Sequence, residues 1–277
     1  MNNIISSDFY RVRRGAAFRN TCLGLALVVI FMLIMFVFIQ SDSFSEMIAN
    51  TSELSIVETA DIQQEMQSGF LQIENGVDFA VEILSESIVF LFFLPITIAV
   101  FCADFTAGTY RNTLSYESNR SKVYMAKLLM SIVLCFAMVI VMVIVCLILG
   151  SIAFGFSGFT VAAVGKLLIT VLLQLPIYLA TVTVCHCISS ITKKSSMTIA
   201  IFLVGYFVLA LILQLLTGVL SLPDWIMLIE PQSAGKFLAE YASAPSNEIA
   251  FVMVYYLVVT ALAVILGVTH YRKTDMP

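Results

Sequence analysis

Six apolar runs decide what this chain can fold into. They fall at about 20–40, 87–103, 128–152, 167–191, 198–221 and 249–268. About 20 apolar residues in a helix cross the ~30 Å hydrocarbon layer of a bilayer. No water reaches the backbone there, so a crossing segment is either a helix or part of a closed barrel. Barrel strands alternate polar and apolar residues, and these runs do not. The expectation is an all-α integral membrane protein with six transmembrane helices. Composition agrees, because only 12% of the 277 residues are charged, whereas a soluble domain carries about 25%. The first run is too long for a signal peptide and no small-residue cleavage pattern follows it, so it reads as a retained span.

Basic residues orient the spans. Arg11, Arg13, Arg14 and Arg19 precede the first run, and Arg111, Arg120, Lys122 and Lys127 separate the second from the third. Lys193 and Lys194 separate the fourth from the fifth, and Arg272 and Lys273 follow the sixth. Only Lys166 and Lys236 fall on the other side, which places both termini in the cytoplasm. Acids segregate the opposite way: the loop 41–86 holds ten, from Asp42 to Glu86. The net charge of −4 thus averages a basic inside and an acidic outside. All six cysteines lie in or beside the runs, where a thiol behaves as a small apolar group.

Between the spans the chain divides as follows. Residues 1–19 form a cytoplasmic lead-in with Ser7 and Asp8 as helix N-cap candidates. Phe9, Tyr10 and Val12 alternate there with arginines, as in an interfacial helix on the inner membrane face, or as simple flanking charge. In 41–86, Ile56, Ile62, Met66, Phe70 and Ile73, then Phe79 and Ile83, recur at roughly helical spacing. They predict a helical extracellular segment that continues into span 2, or a solvated acidic cap. Residues 104–127 are cytoplasmic and 269–277 form a cytoplasmic tail. The stretch 222–248, with Pro223, Pro231, Pro245 and Trp225, is apolar but too broken to span and reads as short re-entrant or interfacial helices. Pro95 and Pro176 predict kinks in spans 2 and 4.

Several function classes lose support. No charged residue lies near a span centre, where proton relays place them. No H-E-x-x-H cluster is present, and Gly165-Lys166 and Gly235-Lys236 lack the rest of a phosphate-binding loop. Cys185, His186 and Cys187 are adjacent on a helix and point about 100° apart, so they cannot converge on one metal ion. No nucleophile, base and acid can be assembled. The expectation is a chain with no catalytic residues, no metal and no cofactor of its own, so that any uphill work draws on a partner.

The polar stretch 104–127 is the natural place for that partner. Asp104, Gly108 and Arg111 recur on one helical face, with Asp104 as an N-cap or first-turn anion. Phe105, Thr109 and Tyr116 offer an apolar surface, and Gly108 admits a close backbone approach. A short amphipathic helix here suits docking into a groove of a soluble protein.

The order acidic–aromatic–x–x–Gly–Thr–x–Arg, in Asp104, Phe105, Gly108, Thr109 and Arg111, followed by Arg120 and Lys127, resembles permeases of the ABC-2 (type V) class of ABC transporters. The resemblance implies six spans with both ends inside, an N-terminal interfacial helix (5–17), a coupling helix (104–117), a second contact (188–197) and re-entrant helices (222–247). Family members often carry Glu where this chain has Asp104. The loop 41–86 exceeds the minimal plan and resembles the enlarged external segment of permeases in peptide-toxin export and bacteriocin self-protection systems. The resemblance further implies a dimer of permease chains in a bacterial cell membrane, docked to two ABC ATPase subunits that bind ATP and Mg, with no nucleic acid. Asp104 and Arg111 would shape the coupling helix. Phe105 and Tyr110 would meet the ATPase beside Gly108, Thr109, Thr192, Lys193 and Lys194.

Substrate identity is weaker. Ten outer carboxylates and an apolar interior suit an amphipathic peptide, with Thr97, Gln174, Thr181, Gln214 and Thr217 as hydrogen-bonding groups along its path. Each of these serves equally to pair helix with helix, the more ordinary role. Export of lipid, drug or polysaccharide stays open. So does a membrane sensor or scaffold that binds a ligand through 41–86 and recruits a cytoplasmic protein.

Overall fold

A computed structural model describes residues 2–14, 16–39, 41, 44, 73, 75–106, 108–109, 119–155 and 159–273. Among them every regular element is a helix: α1 (Asn2–Arg14), α2 (Ala16–Ile39), α3 (Gly76–Ser85), α4 (Ser87–Thr106), α5 (Arg120–Phe154), α6 (Val161–Thr192), α7 (Ser195–Gly218), a 3-10 helix (Asp224–Ile229), α8 (Pro231–Ala239) and α9 (Ser246–Lys273). Five of these, α2, α5, α6, α7 and α9, are long and apolar enough to cross a bilayer. Gly76–Ser85 and Val89–Phe105 meet that test only together, and a 62° bend separates them.

Local chemistry sets the ends. Asn75 caps α3 by accepting from Val77 N (2.9 Å) and Asp78 N (3.1 Å). Asn119 does the same for α5, and the Thr160 hydroxyl accepts from Ala163 N at the start of α6. Lys193 closes α6 in the left-handed region (φ 56°) and returns its N–H to Ser189 O. At 35 and 32 residues, α5 and α6 are about 50 Å long from the 1.5 Å rise per residue. That exceeds a ~30 Å hydrocarbon layer, so both project beyond it.

α6 is the central post. It packs against α9, α4, α7, α8, α3 and α5, and 56% of its apolar window is buried, against 11% for α7. Pro176 and Pro95 sit inside helices that continue through them. The sharp bend falls instead at Glu86, whose extended backbone (ψ 143°) ends α3.

α3 is a helix leading into α4 and not the solvated cap offered as the alternative. Nine of its ten residues are buried, Glu82 included. It lies so close to α5 that a Cβ added at Gly76 would stand 2.6 Å from Ser151 N, and one at Gly150 would stand 2.9 Å from Gly76 Cα. Two glycines facing each other let the backbones touch, and Val77, Phe79, Val81, Ile83 and Leu84 then join the main core. The spacing of Phe79 and Ile83 marks the helix; the surrounding carboxylates mask its burial. The expected helices over 41–72 lie outside the described residues, Ser41 and Phe44 aside.

Two further expectations are corrected. α1 begins at Asn2, so Ser7 and Asp8 are interior rather than N-cap residues. Asp104 opens no helix, because it lies in the last turn of α4, and Gly108 follows at φ +68°. Asp104 and Gly108 therefore do not share one continuous helical face, and Arg111 lies outside the described residues.

Candidate functional site

The ends of the helices that carry most of the basic residues meet in one region, and a buried charge network sits there. Asp104 is 3% exposed in the last turn of α4, where the helix dipole disfavours an anion. A buried carboxylate must be paired. Lys127 Nζ, from the second turn of α5, contacts its Oδ2, and the Arg11 guanidinium, from α1, contacts its Oδ1. Thr109 Oγ1 donates to Oδ1 at 3.2 Å. Lys127 Nζ reaches Asp8 Oδ2 and Val100 O, each at 3.3 Å. Arg11 Nη2 reaches Asp8 Oδ1 and Val100 O, each at 3.0 Å. Two anions and two cations thus balance, and they join α1, α4 and α5. Lys127, Asp104 and Asp8 are almost fully enclosed, whereas the Arg11 side chain is 36% exposed. Such a network is weak evidence of net stability, but it fixes one geometry, since removing a single partner strands a buried charge.

A ring cluster backs this network. His186 packs edge-on against Phe101 and Tyr124, with 4.8 Å between centroids in each case. Its Nδ1 lies 3.4 Å from Ser131 Oγ. Tyr271 of α9 joins both Phe101 and Tyr124. Gly267 of α9 leaves the space that the Tyr124 hydroxyl occupies; a Cβ there would collide with it. His186 is therefore enclosed by aromatic side chains, and among the described residues no three His, Cys, Asp or Glu groups converge as metal ligands.

The two-residue turn Lys193–Lys194 between α6 and α7 reaches the same region. Lys193 Nζ stands 5.8 Å from the centre of the Phe105 ring, within cation–π range. The Thr192 and Thr198 hydroxyls lie 2.6 Å apart, and Thr198 Oγ1 lies 3.8 Å from Cys102 Sγ in α4. Of the residues proposed from sequence for coupling, Asp104, Phe105, Thr109, Thr192 and Lys193 come together. Gly108 is exposed beside them, and Lys194 is exposed at the start of α7. Tyr110 and Arg111 lie outside the described residues.

Asp8 and Arg11 are the partners that sequence reasoning missed. The available signal was an acid in a basic lead-in, three residues before an arginine; the 119-residue separation from Lys127 hid the pairing.

The proposed substrate-path residues do not converge. Thr97 is buried and donates to Phe93 O of its own helix. Gln174 is buried in a network described by four bonds: Nε2 donates to Ser85 Oγ and Gly235 O (3.1 Å each), and Tyr178 donates to Gln174 Oε1 (2.6 Å) and Leu84 O (3.3 Å). It pins α6 to α3 and α8. Gln214 is exposed, and Thr217 bonds back to Leu213 O. Thr181 lines a cavity between α6, α7 and α9.

Fold and site together define a multi-pass, all-helical membrane protein whose basic helix ends are locked by buried charge. The family described as a protein of unknown function (DUF2705) matches residues 60–277, and the chain belongs to it. No curated protein and no solved structure matches the chain.

Proposed function

We propose that the chain is the permease subunit of an ATP-driven exporter of amphipathic peptides. In this reading the bent pair α3–α4 acts as one span, which gives six, with both termini cytoplasmic. α1 lies along the inner membrane face, and the 3-10 helix and α8 form the re-entrant piece on the outer side. Two such chains dock two ATPase subunits through residues 104–119 and the Lys193–Lys194 turn.

One observation carries the reading: Phe105, in the last turn of α4 at the root of the 104–119 loop, and Lys193, in the α6–α7 turn, touch beside the Asp104–Lys127–Asp8–Arg11 network. A load applied to either loop would reach α4, α5, α6 and α7 together. The network makes the root of the 104–119 segment stiff, as a lever requires, because a displaced ion would be left buried and alone. The partner supplies ATP hydrolysis; this chain supplies the hinge and the path.

Purification from native membranes tests this directly. An ATPase subunit is expected to copurify, and amphipathic peptides are expected to raise its hydrolysis rate. Gly108→Trp, which places a bulky side chain on an exposed turn at positive φ, is expected to abolish coupled transport while membrane insertion persists. Capture of a kinase, activity without nucleotide, or labelling of an Arg111→Cys variant from outside the cell would each overturn the proposal.

A further inference from the structure

Between α7 and α9 lies a cavity of about 200 Å³, with α6 as its back wall and Ile229 and Pro231 at one end. It exists because α7 and α9 each pack on α6 but scarcely on one another. Its lining runs from Ala180 to Ile188 on α6 and from Ile201 to Leu209 on α7. Nine residues of helix on each wall, eight rises of about 1.5 Å, make it about 12 Å long, close to the ~15 Å depth of one bilayer leaflet.

The chemistry of the wall agrees with the shape. No lining residue is charged. The Thr181 hydroxyl donates to Ile177 O and the Tyr256 hydroxyl to Ile229 O, both at 2.9 Å, so these groups are already engaged. Apolar cavities of about 150 Å³ stay dry and take apolar guests. The helices flanking the mouth present Val204 and Val208 on α7 and Val254 and Val258 on α9, all exposed on segments long enough to span a bilayer. What reaches such a mouth is lipid. Gly205 faces open space in the channel, since a Cβ there would meet nothing within 4 Å.

We propose that this cavity is a binding site for one acyl chain of a membrane phospholipid, which enters between α7 and α9. The chain fills the space that the two helices leave and spaces α7 from α9. The inference holds whether or not the protein is a permease.

Photolabelling tests it. The full-length protein is reconstituted in phosphatidylcholine vesicles whose lipid carries a mid-chain diazirine, irradiated and mapped by mass spectrometry. Adducts on Tyr206, Tyr255 and Tyr256 are expected to exceed those on Leu27 and Phe31, which α2 exposes on its outer face. Gly205→Leu, which fills the channel, is expected to lower the cavity adducts to the α2 level without lowering the melting temperature. Val259→Phe fills it from the opposite wall and serves if the first variant does not insert. Equal labelling of the cavity and α2, or cavity labelling that survives both filling variants, overturns the proposal. Displacement of the label by an added amphipathic peptide at constant lipid also overturns it, in favour of a peptide site. None of these outcomes depends on an ATPase partner, so they are separable from the test of export.

Discussion

The bent pair α3–α4 is held at its basic end and at its bend by different chemistry. At the basic end, Asp104, Lys127, Asp8 and Arg11 form a balanced set of full charges with three members enclosed. At the bend, neutral groups take over: Gln174, Tyr178 and Ser85 link α6 to α3, and Gln174 also reaches the backbone of α8. One ion pair, Lys236 to Glu86 at 2.9 Å, sits at the edge with the lysine 40% exposed, and Gln232 donates to the same carboxylate at 3.1 Å. A buried charge network resists partial opening, because each lost contact leaves an ion without solvent or partner. A neutral hydrogen bond contributes about 1 kcal/mol net and can be exchanged. The basic end is thus built to stay closed as a unit. The bend and α8 are instead pinned to α6 by buried neutral bonds.

The largest expected effect lies at the basic end. Lys127→Met leaves two enclosed carboxylates facing a single, part-exposed arginine. It is expected to cost about 3–5 kcal/mol, the range for breaking a buried ion pair. The double variant Lys127→Met/Asp104→Asn removes charge from both sides and should recover most of the loss. Melting in detergent measures both. Equal stability of the single and double variants would show that the charges are not coupled, and the contrast between the basic end and the bend would fall.

At the start of α3, packing rather than charge should dominate. Gly150→Ala drives a methyl into Gly76, where backbone meets backbone, and the expected cost is about 1–3 kcal/mol for overpacking a filled core. Glu86→Gln tests the charge at the bend. The Glu86–Lys236 pair is part-exposed, and such pairs contribute about 0–1 kcal/mol, so melting should barely change. A Glu86→Gln effect larger than that of Gly150→Ala would invert the argument and make the bend an electrostatic latch.

How much of this was legible in the sequence follows from the range of the forces involved. Apolar runs and basic flanks are local signals, and the helices and the segregation of charge follow from them. The meeting of Phe105 with Lys193 was within reach, since both lie in short polar gaps between apolar runs. The pairing of Asp8 with Lys127 was not, because nothing local separates a cap aspartate from one aimed across the bundle. The burial of α3 was also hidden. Its ten residues sit in an acid-rich loop, and only the Gly76–Gly150 contact, 74 positions apart, reveals why Glu82 is enclosed. The break at Glu86 has no proline or glycine to announce it, while Pro95, which should have marked a kink, lies within a continuous helix. Among the hydrogen-bonding residues of the spans, Gln174 turned out to join helices, the more ordinary role in an interior without water.

The smallest expected change in stability concerns Lys193, where the α6–α7 turn meets the last turn of α4. Its φ of 56° favours glycine, and a residue with a Cβ in that region is disfavoured by roughly 1–2 kcal/mol. Lys193→Gly removes this strain but also removes the contact with Phe105, worth about 0.5–1 kcal/mol at a part-exposed site. The two terms nearly cancel, so melting should be unchanged or slightly raised. If the turn carries load from a docked ATPase, transport coupled to ATP hydrolysis should nonetheless fall in Lys193→Gly and in Lys193→Asn, which tolerates the same backbone, but persist in Lys193→Arg, which keeps a cation over the ring. A large drop in stability would make the contact a simple clamp, like the charges beside it. Full coupling in Lys193→Gly would mean that force enters through the 104–119 segment alone.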